Sequence, residues 1–305
     1  MSQPLVIEIK GNSLDDGPGI RSVIFFKGCP LSCVWCHNPE SQHVGNEITY
    51  DEKTCVHSGA CFEQCEVNAL SLDNPFFVDR DKCTLCMACT QHCPSGAIKA
   101  AAELMSIQQI MEQVLVDKPF YKTSGGGVTL SGGEPTLYIE FLAQLLKALK
   151  KENIHTLLET SGFFNFRRFE QELLPYIDTI YFDLKLMNDD DHRQHCGVSN
   201  QSILDNFSKL WELSKNNTFE ILPRTPLIPG ITATGENLTA IAQYLSDLKV
   251  PKSRLLSYNP LWHDKTKKIG VKNLLSDKAE LQHWMKKEEV QQCEAIFREH
   301  GIAVG

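Results

Sequence analysis

Strand-like and helix-like stretches alternate along most of this 305-residue sequence, and that alternation limits the folds open to it. Val128-Thr129-Leu130 reads as a strand and residues 137–151 as a helix; 155–160 reads as a strand and about 165–174 as a helix. Residues 179–184 read as a strand followed by helical patterning around 188–213, then 219–224 as a strand with a helix near 235–248, then 254–258 with a helix at about 276–300. The apolar run Val23-Ile24-Phe25-Phe26, inside a strand over 21–27, brings the total to six β-then-α units. Residues 5–10 form a further short strand, Asp15-Asp16-Gly17-Pro18-Gly19 a turn, and Ser106 with Gln109 a capping box for an amphipathic helix through Ile107, Ile110, Met111, Val114 and Leu115. Such alternation implies a parallel sheet with right-handed crossovers, closed or nearly closed as a barrel.

Loops that follow the strands of such a barrel gather at one face, which carries the active site. After the first strand comes Cys29-x3-Cys33-x2-Cys36. Three thiolates can close on one metal centre, and they leave one iron of a 4Fe-4S cluster without a protein ligand. The next strands end in Ser131-Gly132-Gly133-Glu134-Pro135, Glu159-Thr160-Ser161-Gly162, Asp183-Leu184-Lys185, Arg224 and Tyr258-Asn259-Pro260. Singly these read as a turn, an ion pair and a solvated side chain; together they put polar groups at every strand end. Glycines 132 and 133 let backbone approach a polar ligand, Lys185 can pair a carboxylate, and an acidic side chain can answer an ammonium group.

Ten of the twelve cysteines lie between Cys29 and Cys93. Disulfide frameworks suit small secreted scaffolds, so clusters of this spacing in a longer chain point to metal. Periodic patterning fades over residues 51–100, which read as an inserted module. Cys83-x2-Cys86-x2-Cys89-x3-Cys93-Pro94 matches the bacterial ferredoxin run, in which the fourth cysteine crosses to a second cluster. By that rule Cys83, Cys86, Cys89 and Cys65 hold one 4Fe-4S cluster, while Cys55, Cys61 and Cys93 hold another that lacks a fourth thiolate. Ser58 stands where that cysteine is expected. His57, Ser58, water, a three-iron cluster or no cluster at all remain open there, and a pair of zinc knots is the competing structural reading. Cys196 and Cys293 match no pattern and read as free, inert thiols.

Thirty basic against thirty-eight acidic residues give a formal charge of −8 with no basic stripe, which argues against nucleic acid as a partner. Neither a signal peptide nor a long apolar run is present in the sequence, so the expectation is a cytoplasmic protein without a membrane partner.

The cysteine loop with an aromatic before its last cysteine, followed by Gly-Gly-Glu-Pro, resembles the radical S-adenosylmethionine superfamily. More narrowly, Asp16-Gly17-Pro18-Gly19-Ile20-Arg21, Trp35-Cys36-His37-Asn38-Pro39-Glu40, Lys118-Pro119-Phe120-Tyr121, residues 124–135 and Asp183-Leu184-Lys185 are similar to the glycyl-radical-enzyme activating enzymes. The resemblance implies an α/β fold: an incomplete (β/α)6 barrel over 1–50 and 101–305, with a ferredoxin-like 4Fe-4S insert at 51–100. It also implies that S-adenosyl-L-methionine chelates the open iron held by Cys29, Cys33 and Cys36. One electron then cleaves its sulfonium bond, and the 5'-deoxyadenosyl radical removes hydrogen from a backbone glycine of a partner glycyl radical enzyme. By position, Trp35 and His37 lie along the adenine, Gly132, Gly133 and Glu134 meet the methionyl amine, and Asp183 and Lys185 hold the carboxylate region; Leu184 and Arg224 also count among the cofactor-binding residues. Glu159, Thr160 and Asp183 match a monovalent-cation site, and Asn259 replaces a ribose-side histidine, making contact without titrating near neutral pH. Two more clusters in the insert would relay electrons from a flavodoxin or ferredoxin. The competing functions are a radical enzyme acting on a small molecule or another macromolecule, and a non-catalytic electron carrier.

Overall fold

The computed structural model describes residues 3–216 and 219–305. Its strands are β1 (Leu5–Ser13), β2 (Arg21–Phe26), β3 (Ile48–Tyr50), β4 (Ile98–Ala100), β5 (Glu103–Leu104), β6 (Gly127–Gly132), β7 (His155–Thr160), β8 (Thr179–Asp183), β9 (Glu220–Pro226), β10 (Lys252–Leu256) and β11 (Ala303–Val304). Nine of them form one sheet in the order β11-β10-β9-β8-β7-β6-β2-β1-β5. Every pairing from β2 through β6, β7, β8, β9 and β10 is parallel, as the six β-then-α units require. The sheet is open rather than closed: β11 extends one side in parallel, and β1 and β5 add antiparallel strands on the other.

The parallel strands are buried on both faces, with Ile24, Val128, Leu130, Leu157, Leu158, Ile180 and Phe182 at 0% exposure. Helix Ile139–Lys151 shows how the outer layer is held. Leu142, Leu145, Leu146 and Leu149 recur at helical spacing and are fully buried, while its last turn carries Lys150 and Lys151 where cations suit the helix dipole. Burying each such leucine contributes about 1.5–3 kcal/mol. The Ser106–Gln109 capping box opens helix Ile107–Val116 with both reciprocal bonds present.

Several boundaries differ from the sequence reading. The patterning at 188–213 is two helices, Asp189–Cys196 and Gln201–Ser214, because Gly197 takes φ 83° and ends the first in the left-handed region. The expected helix at 276–300 begins only at Lys287 and ends at Glu299. An unforeseen helix, Trp262–Ile269, precedes it; it is mostly polar and buries only Trp262, Thr266 and Ile269, too few to register as a period.

Between β3 and β4 the chain forms short helices Ala60–Glu63 and Ala88–Gln91 and a small core of Ile48, Leu70, Phe77, Val78, Cys89 and Ile98. β3 pairs antiparallel with β4, Ile48 opposite Ala100, so this segment leaves and rejoins the fold at one place. Helix Trp262–Ile269 braces it through Lys53–Asp264, Lys267–Glu52 and Lys268–Asp51. These pairs are largely open to solvent, which screens them. The buried Lys27 ammonium on Glu47, 2.6 Å away, and Arg80 Nη2 on the Ile48 and Ile269 carbonyls are less screened.

Candidate functional site

The cysteine loop owes its shape to three neighbouring segments. Gly28 N–H and Cys29 N–H donate to the Ser41 and Gln42 carbonyls at 2.7 and 3.0 Å, while Ser32 and Val34 N–H donate to Cys196 and His195 carbonyls at 2.9 and 3.0 Å. On the other side, Gly133 N–H donates to Phe26 O and Glu134 N–H to Gly28 O, both at 2.8 Å. A Cβ on Gly133 would lie 2.1 Å from Gly28 O, and one on Gly132, where φ is 109°, 2.3 Å from Phe26 O. The paired glycines are therefore demanded by the approach of β6's end to the cysteine loop itself.

Loop and strand ends enclose a cavity of about 790 Å³, within the range of small-molecule sites. Its walls include Cys29, Cys33, Trp35, Cys36, His37, Gly132, Gly133, Glu159, Thr160, Asp183, Lys185, Arg224 and Asn259. Two expected residues are absent from them. Leu184 points into the core at 1% exposure, because alternate residues of an extended segment face opposite sides and Asp183 and Lys185 take the cavity side. Glu134 is fully buried behind the wall, where its carboxylate accepts from Thr136 N–H and Oγ1, Thr160 Oγ1, and Ser161 N–H and Oγ. Burial pushes Glu134 above the ordinary carboxylate range, with those hydrogen bonds acting the other way. In this arrangement its carboxylate clamps the end of β6 to the end of β7.

Asp15, Asp16, Arg254 and Trp284 also line the cavity and were not expected there, whereas Ser131 joins it from the expected strand end. Arg254 had a signal, since it sits beside Arg224 in the β9–β10 register. Trp284, 61% exposed at the rim, had none.

Four charged side chains form one chain along the cavity wall. Arg224 Nη1 donates to Glu159 Oε1; Nε and Nη2 donate to Asp183 Oδ1 at 3.0 and 2.9 Å; Lys185 Nζ donates to Asp183 Oδ2 at 2.9 Å; and Ser131 Oγ donates to Glu159 Oε2 at 2.6 Å. Burial opposes charge on Asp183, yet Lys185 and Arg224 hold it below the usual carboxylate range. Burial likewise opposes charge on Lys185 and Arg224, and the carboxylates more than restore it. Two cations and two carboxylates thus balance. Where the sequence placed a monovalent-cation site, every oxygen of Glu159 and Asp183 accepts a hydrogen bond, Thr160 Oγ1 donates to Glu134, and the Arg224 guanidinium stands between the acids.

His37 Nε2 lies 3.1 Å from Asn259 O, with its ring 5.7 Å from Tyr258 and 6.2 Å from Trp262. Burial lowers His37 to about 4, so it is neutral at pH 7. Burial raises Cys29 and pushes Cys36 up to about 12, whereas a hydrogen bond from Cys196 lowers Cys33. Cys196 is fully buried beside the loop, and its carbonyl accepts from Ser32 N–H.

In the segment between β3 and β4 the remaining thiols separate into two groups. Cys83, Cys65 and Cys86 act electrostatically on Cys89, while Cys93 and Cys55 act on Cys61. A cavity of about 70 Å³ beside Cys55, Cys61 and Cys93 is also lined by His57 and Ser58, and His57 N–H donates to Cys55 Sγ at 3.4 Å. Among the described residues no three His, Cys, Asp or Glu side chains close on a point as they would around a single ion. A cubane, by contrast, takes its thiolates at separate corners, and the three thiols at the edge of the large cavity supply the right donor type for one.

The Radical SAM superfamily profile matches residues 81–238, and a 4Fe-4S single cluster domain profile matches residues 15–73. The chain is 37% identical over 263 residues to the isethionate sulfite-lyase activating enzyme of Oleidesulfovibrio alaskensis, covering 84% of each. It is 35% identical over 311 residues to the (2S)-3-sulfopropanediol dehydratase activating enzyme of Klebsiella oxytoca, covering 98% of this chain and 95% of that one. The 4-hydroxyphenylacetate decarboxylase activating enzyme of Clostridioides difficile is 32% identical over 306 residues, with 98% and 94% covered. A radical SAM methyltransferase from Sphaerobacter thermophilus shares the fold at a TM-score of 0.55 and 13% identity, over 98% of this chain and 76% of that one. No helix among the described residues is long and apolar enough to cross a membrane.

Proposed function

Because the chain belongs to the radical S-adenosylmethionine family of glycyl-radical-enzyme activating enzymes, we propose that it activates a partner glycyl radical enzyme, and that its large cavity is where S-adenosyl-L-methionine is cleaved. The observation that carries this reading is the meeting of Cys29, Cys33 and Cys36 with Gly132, Gly133, Asp183 and Lys185 around one cavity. When bound by the three cysteines, a 4Fe-4S cluster supplies one electron for reductive cleavage of S-adenosylmethionine, and the 5'-deoxyadenosyl radical takes hydrogen from a backbone glycine of the partner.

The chain's own side chains bind and orient. Lys185, steered by Asp183, is the cation for the methionyl carboxylate, and the Gly132–Gly133 backbone faces the amine. Neutral His37, with Trp35 and Asn259, borders the adenosyl side without adding positive charge near the sulfonium. The six parallel units are read as an incomplete (β/α)6 barrel over 1–50 and 101–305. Residues 51–100 are read as a ferredoxin-like module holding two further clusters, one on Cys65, Cys83, Cys86 and Cys89 and one on Cys55, Cys61 and Cys93, fed by a flavodoxin or ferredoxin. The sorting of those thiols into two groups supports this.

The test is anaerobic reduction of the iron-loaded chain with S-adenosylmethionine. 5'-Deoxyadenosine and methionine should form, and co-incubation with candidate glycyl radical enzymes should give an organic radical signal in one of them by electron paramagnetic resonance. No 5'-deoxyadenosine would refute the reading. A product formed from a small molecule, with no glycyl radical in any partner, would replace it with the small-molecule alternative.

A further inference from the structure

Arg254 is a cavity cation that stands outside the chain of ion pairs. It lies on β10, its Cα opposite that of Arg224 in the parallel register, and its half-buried side chain lines the same wall. Arg224 and Lys185 are taken up by Glu159 and Asp183, cation for carboxylate. Among the described residues the Arg254 guanidinium has no hydrogen bond, ion pair or ring contact of its own. Asp15 and Asp16 line the cavity from the turn ahead of β2, at the other end of the parallel set, and neither pairs with it. Leu255, Leu256 and Trp284 border the cavity too, and Met285 N–H on the Tyr258 carbonyl, at 3.3 Å, holds the chain at Trp284 beside the end of β10. A guanidinium kept without a counter-charge among such groups attracts a carboxylate strongly once water is displaced.

We propose that Arg254 is a specificity-determining residue of the activation reaction, binding an acidic side chain that flanks the target glycine of the partner enzyme. The proposal rests on the reading that this cavity holds S-adenosylmethionine and receives the partner's glycine. That cofactor brings one carboxylate, assigned to Lys185, together with an ammonium and a sulfonium that a guanidinium repels. It offers no second anion. The partner's segment is the other reactant that must enter, and its glycine has no side chain, so the neighbouring residues have to supply recognition. A forked Arg–carboxylate pair fixes the direction of that segment as well as its affinity.

The experiment uses the iron-loaded full-length chain and the glycyl radical enzyme that it activates. Glycyl radical formation is followed by electron paramagnetic resonance against partner concentration for the parent, Arg254→Gln, Arg254→Lys and Lys252→Gln. Lys252 lies on the same strand but outside the cavity wall, and its variant controls for the lost charge. Arg254→Gln should raise the KM for the partner by roughly tenfold or more, and by far more than it moves the KM for S-adenosylmethionine. Arg254→Lys, which keeps the charge without the fork, should fall between parent and Gln. Arg254→Glu should then be rescued by one partner variant, among those in which each Asp or Glu near the glycine is changed in turn to Lys. An unchanged partner KM in Arg254→Gln would overturn the proposal, as would an equal rise in the KM for S-adenosylmethionine, which would assign Arg254 to the cofactor. Failure of every charge-reversed partner to rescue Arg254→Glu would overturn it in favour of a backbone carbonyl as the group bound. If the parent cleaves S-adenosylmethionine and no candidate partner gains a radical, it is the activation reading that fails, and this proposal falls with it.

Discussion

Arg224 grips a single oxygen of Asp183 with two nitrogens, Nε at 3.0 Å and Nη2 at 2.9 Å, while the other oxygen of Asp183 holds Lys185. The side chains of Arg224 and Asp183 are only 9% and 20% exposed, so each needs the other's charge. Arg224→Gln should therefore destabilise the chain by about 3–5 kcal/mol at pH 7. The deficit should narrow as pH falls from 7 to 5, because Asp183, no longer held low by Arg224, takes up a proton more readily in the variant than in the parent. Urea midpoints across that range decide it; a deficit that stays constant with pH would rule the electrostatic account out.

Glu134 presents two acceptor oxygens to five donors, and an amide can serve only on one of its two sides. Glu134→Gln should cost about 3 kcal/mol of stability. Folded variant should bind S-adenosylmethionine as the parent does, since this side chain lies outside the cavity wall. Weaker binding with an unchanged melting temperature would place Glu134 in the ligand site after all.

Gly133→Ala sets a Cβ against the Gly28 carbonyl, and backbone cannot step aside as a flexible side chain can. Displacement of the cysteine loop should lower iron content by about four atoms per chain, one cubane's worth. Gly45→Ala, with nothing within 4 Å of its Cβ, is the control and should retain full iron. Normal iron in both variants would contradict the close approach.

His37 is held neutral by burial, with a folded value of about 4 against an ordinary 6.5. Its folded value is depressed, so as pH drops below the ordinary value the unfolded chain takes up a proton that the folded chain refuses. Stability is lost from about pH 6.5 downward, reaching about 2 kcal/mol at pH 5 from this residue. Unfolding curves of the parent and His37→Gln at pH 7 and pH 5 test it: the variant's pH dependence should be shallower, and identical slopes would reject the claim.

In the segment between β3 and β4, Cys65→Ala and Cys83→Ala should each remove the same cluster, so the double variant should lose no more iron than either alone. Cys65→Ala with Cys93→Ala should lose both, because their thiols belong to different groups. Additive iron loss for the Cys65–Cys83 pair would dissolve the grouping.

The six parallel strands were legible because each is five to seven residues long and alternates with helical patterning. β3, β4, β5 and β11 are two or three residues long and carry no period to detect. Most cavity residues could be named because they follow strands that end on one side. Leu184 could have been set aside by strand alternation alone, since its neighbours Asp183 and Lys185 claim the other face. Glu134 could not, because its burial depends on hydroxyls delivered by Thr160 and Ser161 from the next strand. The Arg224 guanidinium between two acids and the Ser32 N–H bond to the Cys196 carbonyl are likewise contacts between distant stretches of chain, with no spacing rule to announce them.

Ile48 and Ala100 face each other across the β3–β4 pair, so the cysteine-rich segment enters and leaves the fold like a pendant through one clasp, and helix Trp262–Ile269 steadies it from the side. No strand of the parallel sheet is threaded through it. Lineages could lengthen, shorten or discard this pendant without rearranging the strand order around the large cavity. In topology, the segment is thus separable from the strands that build the cavity.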